Sequence, residues 1–288
     1  MSKGGDITSS LGNFRELKEK LLYTLHYIIH LLTYKIPYYG LCKLITCLGG
    51  DKVWYRFPVK DFYIPKLIPD GSRAVLRWRD HGAAWRIYHN SLYDKFFKPE
   101  KGDVVVDAGA HVGVYSLRAA KLVGNNGLVI AIEPAEENYK ILLKNIFINS
   151  VHNIIPIKVG LWSSRGKAKL YIKESSMSHS LLKDLGESFI VRVEEVYITT
   201  LDHLLKELGV DHVDVLKINV EGAELEVLKG AKEVLTSKRV FKIVITTHPP
   251  HDESSRAIVK YLISLGYNVK VIKLEGGMRV IYATIKPL

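Results

Sequence analysis

Apolar runs rich in β-branched residues alternate with segments of helical period beyond Gly102. The runs occupy residues 103–107, 128–132, 154–159, 213–220, 240–247 and 267–272. Apolar strands separated by helices are typical of a parallel sheet covered by helices on both faces. The pattern therefore predicts an α/β fold over residues 99–288. A hairpin at 168–173 and 189–199 interrupts the alternation, and a helix is expected at 200–208.

Residues 1–50 have a different pattern, in which apolar side chains recur every three or four positions from Phe14 to Leu32. This periodicity predicts a helical N-terminal extension. The uncharged run Leu21–Tyr34 has 14 residues, fewer than the roughly 20 that span a bilayer. Two interpretations stay open: short apolar helices over residues 14–48 cap the α/β domain or form a homodimer contact, or they attach to a membrane surface. We expect no signal peptide and a cytoplasmic location.

Residues 51–98 form a mixed segment, with strand-like stretches at 54–63 and 75–78 and turn residues at Pro65 and at Pro69-Asp70-Gly71. Cations and aromatic residues are interleaved here: Arg73, Arg77, Trp78, Arg79, Trp85, Arg86, Tyr88 and Tyr93. Such a combination suits RNA or single strands, and equally sugar phosphates or a lid without a ligand.

Composition narrows the functional classes. A hydrophobic content of 47% with 25% charged residues excludes a disordered chain. The net charge is +11, and the first 100 residues hold 16 Lys and Arg against 9 Asp and Glu. This surplus favours an anionic partner or serves solubility alone. Cys42 and Cys47 match neither a disulfide scaffold nor a metal site, so we expect no metal. The absence of glutamine suggests a thermophilic source.

The first strand of the α/β region runs into a glycine turn, in the stretch VVVDAGAHVGVYS. Gly109 and Gly113 follow Asp107, and His111 stands where a dinucleotide-binding turn has its middle glycine, so NAD fits poorly. The spacing resembles the first motif of Rossmann-like S-adenosylmethionine methyltransferases. That resemblance implies a turn, including Ala110, beneath the ligand, and Asp107 against the cationic methionine end. The helix that follows directs its N–H groups at the methionine carboxylate.

The second and third strands end in further candidate cofactor residues. Glu133, followed by Pro134, can accept hydrogen bonds from the ribose hydroxyls, as the analogous acid does in dinucleotide folds. Its alternative role is to cap the next helix. The third strand ends at Gly160-Leu161-Trp162, where the backbone would border the adenine. Trp162 either stacks near the adenine or belongs to the core.

The fourth strand carries the most distinctive run, VDVLKINVEGAELEVLKGA at 213–231. With DAGAHVG, IEP, Asn145, Asn149 and TLDHLL at 200–205, it resembles the FkbM family of methyltransferases over about residues 100–250. The resemblance implies a class I Rossmann-like methyltransferase with a mostly parallel seven-stranded sheet. It also implies the cofactor S-adenosylmethionine and methyl transfer, usually to a hydroxyl of a sugar or other small molecule.

The sequence departs from the family pattern at three places. His111 replaces the usual Asn, Asn219 replaces the Asp of KIDVEG, and Val-Ile-Thr-Thr-His at 244–248 stands where the family has an acid. These departures leave a catalytically degenerate S-adenosylmethionine-binding protein as an alternative to an active enzyme. A methyltransferase that uses the basic N-terminal third to bind RNA is a second alternative.

Two residues at the carboxyl ends of adjacent strands are candidates for the general base. Glu221 or His248 can remove the proton of an acceptor hydroxyl. Alternatively, Glu221 caps the helix near Gly222, and His248 orders the turn before Pro249. Asn219 can bind the acceptor or the cofactor amine through hydrogen bonds but cannot act as a base. We do not assign His179, in the hairpin insertion, to the site, although it can touch substrate there.

Overall fold

A computed structural model describes residues 63–77, 80, 87–88, 93–183, 189–248 and 252–286. The described strands are β1 (Tyr63–Leu67), β2 (Arg73–Arg77), β3 (Val104–Ala108), β4 (Leu128–Ile132), β5 (Ile154–Ile157), β6 (Gly160–Leu161), β7 (Gly166–Lys173), β8 (Ile190–Thr199), β9 (Val213–Ile218), β10 (Val240–Thr247), β11 (Asn268–Lys273) and β12 (Arg279–Thr284). The described helices are α1 (Asp94–Phe97), α2 (Val114–Val123), α3 (Glu136–Ile148), α4 (Leu201–Glu207), α5 (Glu224–Lys229), α6 (Lys232–Thr236) and α7 (Asp252–Ser264). The predicted helical extension over residues 1–50 lies outside the described residues.

Seven strands form one sheet in the order β11-β12-β10-β9-β3-β4-β5. Strand β12 is antiparallel to both of its neighbours, and every other pair in this sheet is parallel. This confirms the mostly parallel α/β fold. The chain runs outward from β3 to β5 and then returns to β9, so the strand order reverses beside β3. Ligands of open α/β sheets bind outside the carboxyl ends of the strands at such a point.

One hydrophobic core cluster lies on the face of the sheet covered by α4–α7. Ile218 and Ile245 are completely buried there with Leu228 and Leu262 of the covering helices. Successive side chains of a strand point to opposite faces of the sheet. The strand residues that alternate with those of this cluster therefore face α2 and α3. Burial of each Leu or Ile in such a cluster stabilises the fold by roughly 1.5–3 kcal/mol.

A separate three-stranded sheet, in the order β6-β8-β7, confirms the predicted hairpin insertion. Strands β7 and β8 pair antiparallel from Gly166–Ile198 onward, with a bulge between Ile172 and Lys173. The buried face of this sheet carries Leu170 and Ile172, which pack with Ala135. The insertion is thereby held against the loop that follows β4.

The N-terminal hairpin β1–β2 is bound to α3 through two asparagines. Asn145 Oδ1 accepts the backbone N–H of Val75 at 2.6 Å, and its Nδ2 donates to the carbonyl of Val75 at 3.1 Å. Asn149 binds both backbone groups of Arg73 in the same way. The predicted turn after β1 is confirmed, with Gly71 donating to Ile68, whereas Pro65 lies within β1 rather than in a turn.

Candidate active site

A cleft opens at the carboxyl ends of the parallel strands. Ten of the twelve predicted site residues line it: Gly109, Ala110, His111, Glu133, Pro134, Gly160, Leu161, Asn219, Glu221 and His248. Asp107 and Gly113 lie behind its wall. Trp162 is also absent from the lining, although Gly160 and Leu161, which precede it, are present.

The two glycines after β3 are required by close packing. A Cβ atom on Gly109 would meet the carbonyl oxygen of Asn219 at 2.0 Å, and Gly109 has a φ of 78°. Gly113 has a φ of 85°, and its Cβ would lie 2.4 Å from Leu142. Gly109 thus lets the loops after β3 and β9 touch beneath the cleft. Gly113 starts helix α2 against α3 and does not itself reach the ligand space.

His111 occupies the left-handed region between the two glycines, with a φ of 55°. Asn and His are among the residues that tolerate this conformation, which explains how His can replace the family's Asn. The backbone N–H of His111 donates to Oε2 of Glu133 at 2.8 Å. The turn is therefore tied directly to the acid at the end of β4.

Glu133 is buried, and the protein itself fixes both of its carboxylate oxygens. Oε1 accepts hydrogen bonds from the backbone N–H of Ala135 and from Nδ2 of Asn138, both at 3.1 Å. With the His111 bond, three of the roughly four acceptor positions of the carboxylate are used. Counting bonds from the described residues, one position is left for a ligand hydroxyl, so acceptance from both ribose hydroxyls is not favoured by this geometry. Helix α3 has Ala135 as its N-cap, without a side-chain cap bond.

Arg77, at the end of β2, lies behind Glu133. Its guanidinium donates to both oxygens of Asp80 and to Oδ1 of Asn138. Nε2 of His111 lies 3.3 Å from Asp80. Burial raises the pKa of Asp80, but His111 and Arg77 outweigh it and hold that pKa well below its usual range. The N-terminal hairpin thus reaches Glu133 through a buried polar network.

Asp107, predicted to meet the methionine end of the cofactor, is not among the residues that line the cleft. Asp107 is completely buried, where it binds Nζ of Lys217 at 2.8 Å and Oγ of Ser116 at 2.6 Å. Lys217 also donates to the carbonyl of Gly109 at 2.7 Å and lines the cleft. Burial lowers the pKa of Lys217, but Asp107 outweighs it and the net shift is upward. Asp107 therefore binds Lys217, its neighbour across β3 and β9, and does not line the cleft.

Three polar side chains meet where β9 and β10 end. Nε2 of His248 lies 3.1 Å from Oδ1 of Asn219 and 3.3 Å from Oε1 of Glu221. Both partners are acceptors, which assigns a hydrogen to Nε2. Glu221 has a φ of 52°, and Ser180 donates to its carbonyl oxygen at 2.7 Å. The two candidate bases are thus in contact with each other at the edge of the cleft.

The helix after β9 is not capped by Glu221. Helix α5 begins at Glu224 with Ala223 as its N-cap residue, and no side chain caps it. The buried carboxylate of Glu224 accepts the backbone N–H groups of Gly222 at 3.0 Å and Val220 at 3.3 Å. Burial raises the pKa of Glu224. Glu224 shapes the loop, and the carboxylate of Glu221 lies in the cleft beside His248.

His179, which sequence reasoning left unassigned, lines the cleft from the hairpin insertion. Its Nδ1 accepts the backbone N–H of Lys173 at 3.1 Å. Burial, reinforced by the nearby His111 and Arg77, lowers the pKa of His179 to about 3. The ring is therefore neutral at neutral pH and carries its hydrogen on Nε2.

Tyr115, Thr246 and Met278 also line the cleft, and no sequence motif indicated them as site residues. Tyr93 and Tyr88 are the described aromatic members of the predicted cation–aromatic cluster, and Tyr93 lines the cleft as well. Trp78, Arg79, Trp85 and Arg86 lie outside the described residues. Within the described ranges, no cluster of three or more His, Cys, Asp or Glu side chains can hold a metal ion.

One cleft is surrounded by the glycine turn, by Glu133 after β4 and by the three polar side chains after β9 and β10. The comparisons with known sequences are consistent with this ligand-binding arrangement. The sequence model of the methyltransferase FkbM domain matches residues 107–269, more than half of the chain. The chain belongs to the FkbM methyltransferase family. It is an S-adenosylmethionine-dependent methyltransferase. No described helix of this FkbM protein is long and apolar enough to cross a membrane.

Three curated relatives are similar over an overlapping part of the chain. Methyltransferase sdnD of Sordaria araneosa is 31% identical over an alignment 177 positions long, which covers 51% of this chain and 67% of that protein. Ribosomal RNA large subunit methyltransferase E of Methanobrevibacter smithii is 29% identical over 193 residues, 64% of this chain and 83% of that protein. Hexuronic acid methyltransferase AglP of Haloferax volcanii is 28% identical over 178 residues, 61% of this chain and 68% of that protein.

Proposed function

We propose that this FkbM methyltransferase methylates a hydroxyl oxygen of a glycan, glycolipid or other small acceptor. The observation that carries the proposal is the contact between Glu221 and His248, 3.3 Å apart at the edge of the cleft. Methyl transfer to an alcohol needs the acceptor oxygen to be positioned and its proton to be removed. A carboxylate and an imidazole in contact are suited to that second task.

The residues around the glycine turn fit the cofactor. Glu133 lies at the end of β4 with one acceptor position left for a ribose hydroxyl, and Gly109 lets the backbone pass close beneath the ligand space. Helix α2 has 10 residues, and its N-terminal N–H groups suit the methionine carboxylate. When bound, S-adenosylmethionine supplies an electrophilic methyl group on a sulfonium. Gly160 and Leu161 border the space assigned to the adenine.

On the acceptor side, we assign proton removal to the Glu221–His248 pair. The carboxylate of Glu221 accepts the proton of the acceptor hydroxyl as the oxygen–carbon bond forms. The N–H of His248 holds that carboxylate in place, and Oδ1 of Asn219 fixes the orientation of the imidazole at 3.1 Å. Asn219 positions the pair without taking part in proton transfer.

RNA is the second candidate acceptor. It is favoured by the basic first 100 residues and by the similarity to a protein named as a ribosomal RNA methyltransferase. Against it, the guanidinium of Arg77 is only 3% exposed and is bound by Asp80, so this member of the cation–aromatic cluster is not available to phosphate. The similarity to a hexuronic acid methyltransferase favours a sugar acceptor instead.

A radiolabelled methyl-transfer assay against glycan, lipid and RNA fractions tests the proposal. We expect label in the glycan or lipid fraction, with little difference between low and moderate salt, and its loss in Glu221→Gln. Label confined to RNA, with a yield that falls steeply as salt rises, would support the RNA alternative because phosphate contacts are salt-dependent. Cofactor binding with no label in any fraction would indicate a degenerate S-adenosylmethionine-binding protein.

A further inference from the structure

Glu221 has an uncommon backbone conformation for a residue with a side chain. Its φ of 52° lies in the left-handed region, which glycine adopts readily and glutamate seldom does. Residues in such conformations are strained, persist only where surrounding contacts hold them, and cluster at active sites. The contacts around the backbone of Glu221 therefore bear on where its carboxylate lies in the cleft.

One of these contacts comes from the hairpin insertion rather than from the sheet that carries Glu221. The hydroxyl of Ser180 donates to the carbonyl oxygen of Glu221 at 2.7 Å. Within the loop itself, the buried carboxylate of Glu224 accepts the N–H groups of Val220 and Gly222. The loop after β9 is thus held by its own helix on one side and by the insertion on the other.

Ser180 is itself fixed in place by its neighbours. It is 1% exposed, and its backbone N–H and carbonyl both pair with Tyr171 of β7. Its Oγ accepts the N–H of Leu182 at 3.0 Å, which directs the hydroxyl hydrogen away from Leu182 and toward Glu221. Ser180 does not line the cleft, although the residues on either side of it do. Its hydroxyl therefore acts on the site through Glu221 and not on a ligand.

A second residue of the insertion faces Glu221. Lys173, at the end of β7, is 3% exposed. Burial lowers the pKa of Lys173, and the charge of Glu221 opposes that shift. The backbone N–H of Lys173 donates to His179, which lines the cleft. The end of β7 and the residues after it are thus arranged around the loop that carries Glu221.

We propose that Ser180 is a positioning residue, whose hydroxyl holds the backbone of Glu221 so that the carboxylate of Glu221 faces the acceptor hydroxyl. This rests on the proposed function, in which Glu221 removes the acceptor proton. The hairpin insertion then belongs to the catalytic machinery, because it supplies the hydrogen bond that orients the base. An insertion that only bounded the cleft would need no such bond.

The test removes this hydrogen bond and measures turnover. Ser180→Ala is compared with wild type in radiolabelled methyl transfer to the glycan, lipid and RNA fractions. We expect the maximal rate to fall by about 10- to 100-fold, because a displaced base is seldom in a reactive geometry with the acceptor proton. The apparent KM for the labelled fraction and the calorimetric affinity for S-adenosylhomocysteine should stay unchanged, since Ser180 does not line the cleft.

Three further variants separate positioning from folding. Ser180→Thr keeps the hydroxyl and should restore turnover, even where its additional methyl group lowers Tm. Ser237→Ala removes a matched bond, from a serine hydroxyl to the carbonyl of Glu233 at 2.7 Å outside the cleft lining, and should leave turnover unchanged. Adding Ser180→Ala to Glu221→Gln should cause no further loss, because a residue that acts through Glu221 has no effect once the carboxylate is gone.

Hydrogen exchange reports on the loop without any acceptor. With S-adenosylhomocysteine bound, Ser180→Ala should speed the exchange of the amides of residues 219–223, since the loop loses its bond to the insertion. The amides of α7 should exchange as in the wild type.

The outcomes separate the positioning role from the proposed function. Unchanged turnover in Ser180→Ala, or an equal loss with and without the carboxylate of Glu221, would overturn the positioning role alone. Label confined to RNA, with a loss in Ser180→Ala that depends on Glu221, would support the positioning role and contradict the sugar acceptor. If the wild type labels no fraction, the proposed function fails. Exchange then decides the positioning role: faster exchange of residues 219–223 supports it, and unchanged exchange overturns it.

Discussion

The ammonium group of Lys217 lies 2.8 Å from the carboxylate of Asp107, with 4% and 0% of the two side chains exposed. The pair joins the two motifs that define the site, because Asp107 precedes the glycine turn and Lys217 precedes Asn219. Lys217 also holds the carbonyl of Gly109. A buried charge pair at this position fixes the loop after β3 relative to the loop after β9.

Breaking this pair should therefore destabilise the whole domain. Asp107→Asn is expected to lower the free energy of unfolding by about 3–5 kcal/mol, because it leaves an ammonium buried without its counter-charge. Denaturant unfolding measures the loss. Lys167→Met is the matched control, since it breaks the exposed pair with Glu195 and should change stability little. Equal effects of the two variants would contradict the account of a buried, structurally required pair.

The acid after β4 should determine cofactor affinity. Glu133→Ala is expected to weaken S-adenosylmethionine binding by about 1–3 kcal/mol, because a ribose hydroxyl loses a charged acceptor and the His111 turn loses its anchor. Calorimetry gives the affinity, and Glu136→Ala, which removes a half-exposed acid at the start of α3, should leave it unchanged. Unchanged affinity in Glu133→Ala would refute the ribose role.

The regular part of the fold was predictable because burial on both faces leaves a clear apolar signal. The runs at 128–132 and 240–247 coincide with β4 and β10. Strand β12 was not among the predicted runs, and only the family resemblance implied a seventh strand. Glu133, Glu221 and His248 could be predicted as site residues because they follow β4, β9 and β10, and ligands bind at the carboxyl ends of parallel strands.

The remaining site residues depend on side-chain partners that local sequence does not specify. Asp107 and Glu133 both follow apolar residues, yet Asp107 is buried against Lys217 and Glu133 lines the cleft. Lys217 is the one lysine of the otherwise largely apolar strand β9. Its position was the signal available in the sequence, since a buried charge requires a partner. Arg77 belonged to a basic cluster, and nothing in that cluster indicated which cation would be buried against Asp80.

The contact between Glu221 and His248 predicts a shared effect on catalysis. Glu221→Gln and His248→Asn should each lower turnover by roughly 10²–10⁴-fold with cofactor affinity intact, because the first removes the proton acceptor and the second removes the imidazole N–H that holds it in place. The double variant should lose little more than either single one, since the two residues act as a unit. Glu226→Gln is the control, because Glu226 lies on α5 outside the cleft lining, where it binds Lys229 and Ser163. Losses below about tenfold in both single variants would show that positioning alone suffices.

The apolar N-terminal pattern predicts a cap rather than a membrane anchor. Deleting residues 1–50 should then lower Tm or cause aggregation, because an apolar face of the remaining domain becomes exposed. Full-length protein should not float with anionic liposomes at low salt. Flotation of the full chain, together with a stable and cofactor-competent truncated protein, would instead support attachment to a membrane surface.

Acid should destabilise the cleft through His179, whose pKa in the folded protein is lowered to about 3. The unfolded chain protonates this ring near pH 6.5 and therefore binds more protons than the folded protein between pH 6.5 and 3. The neutral ring thus contributes stability that is fully present above pH 6.5 and is lost as the pH falls towards 3. His179→Asn keeps an acceptor for the backbone N–H of Lys173 but does not titrate. Denaturant unfolding at pH 7 and pH 4.5 should show wild type losing about 1–3 kcal/mol more than His179→Asn over that interval; parallel losses would show that the ring is hydrated and titrates normally.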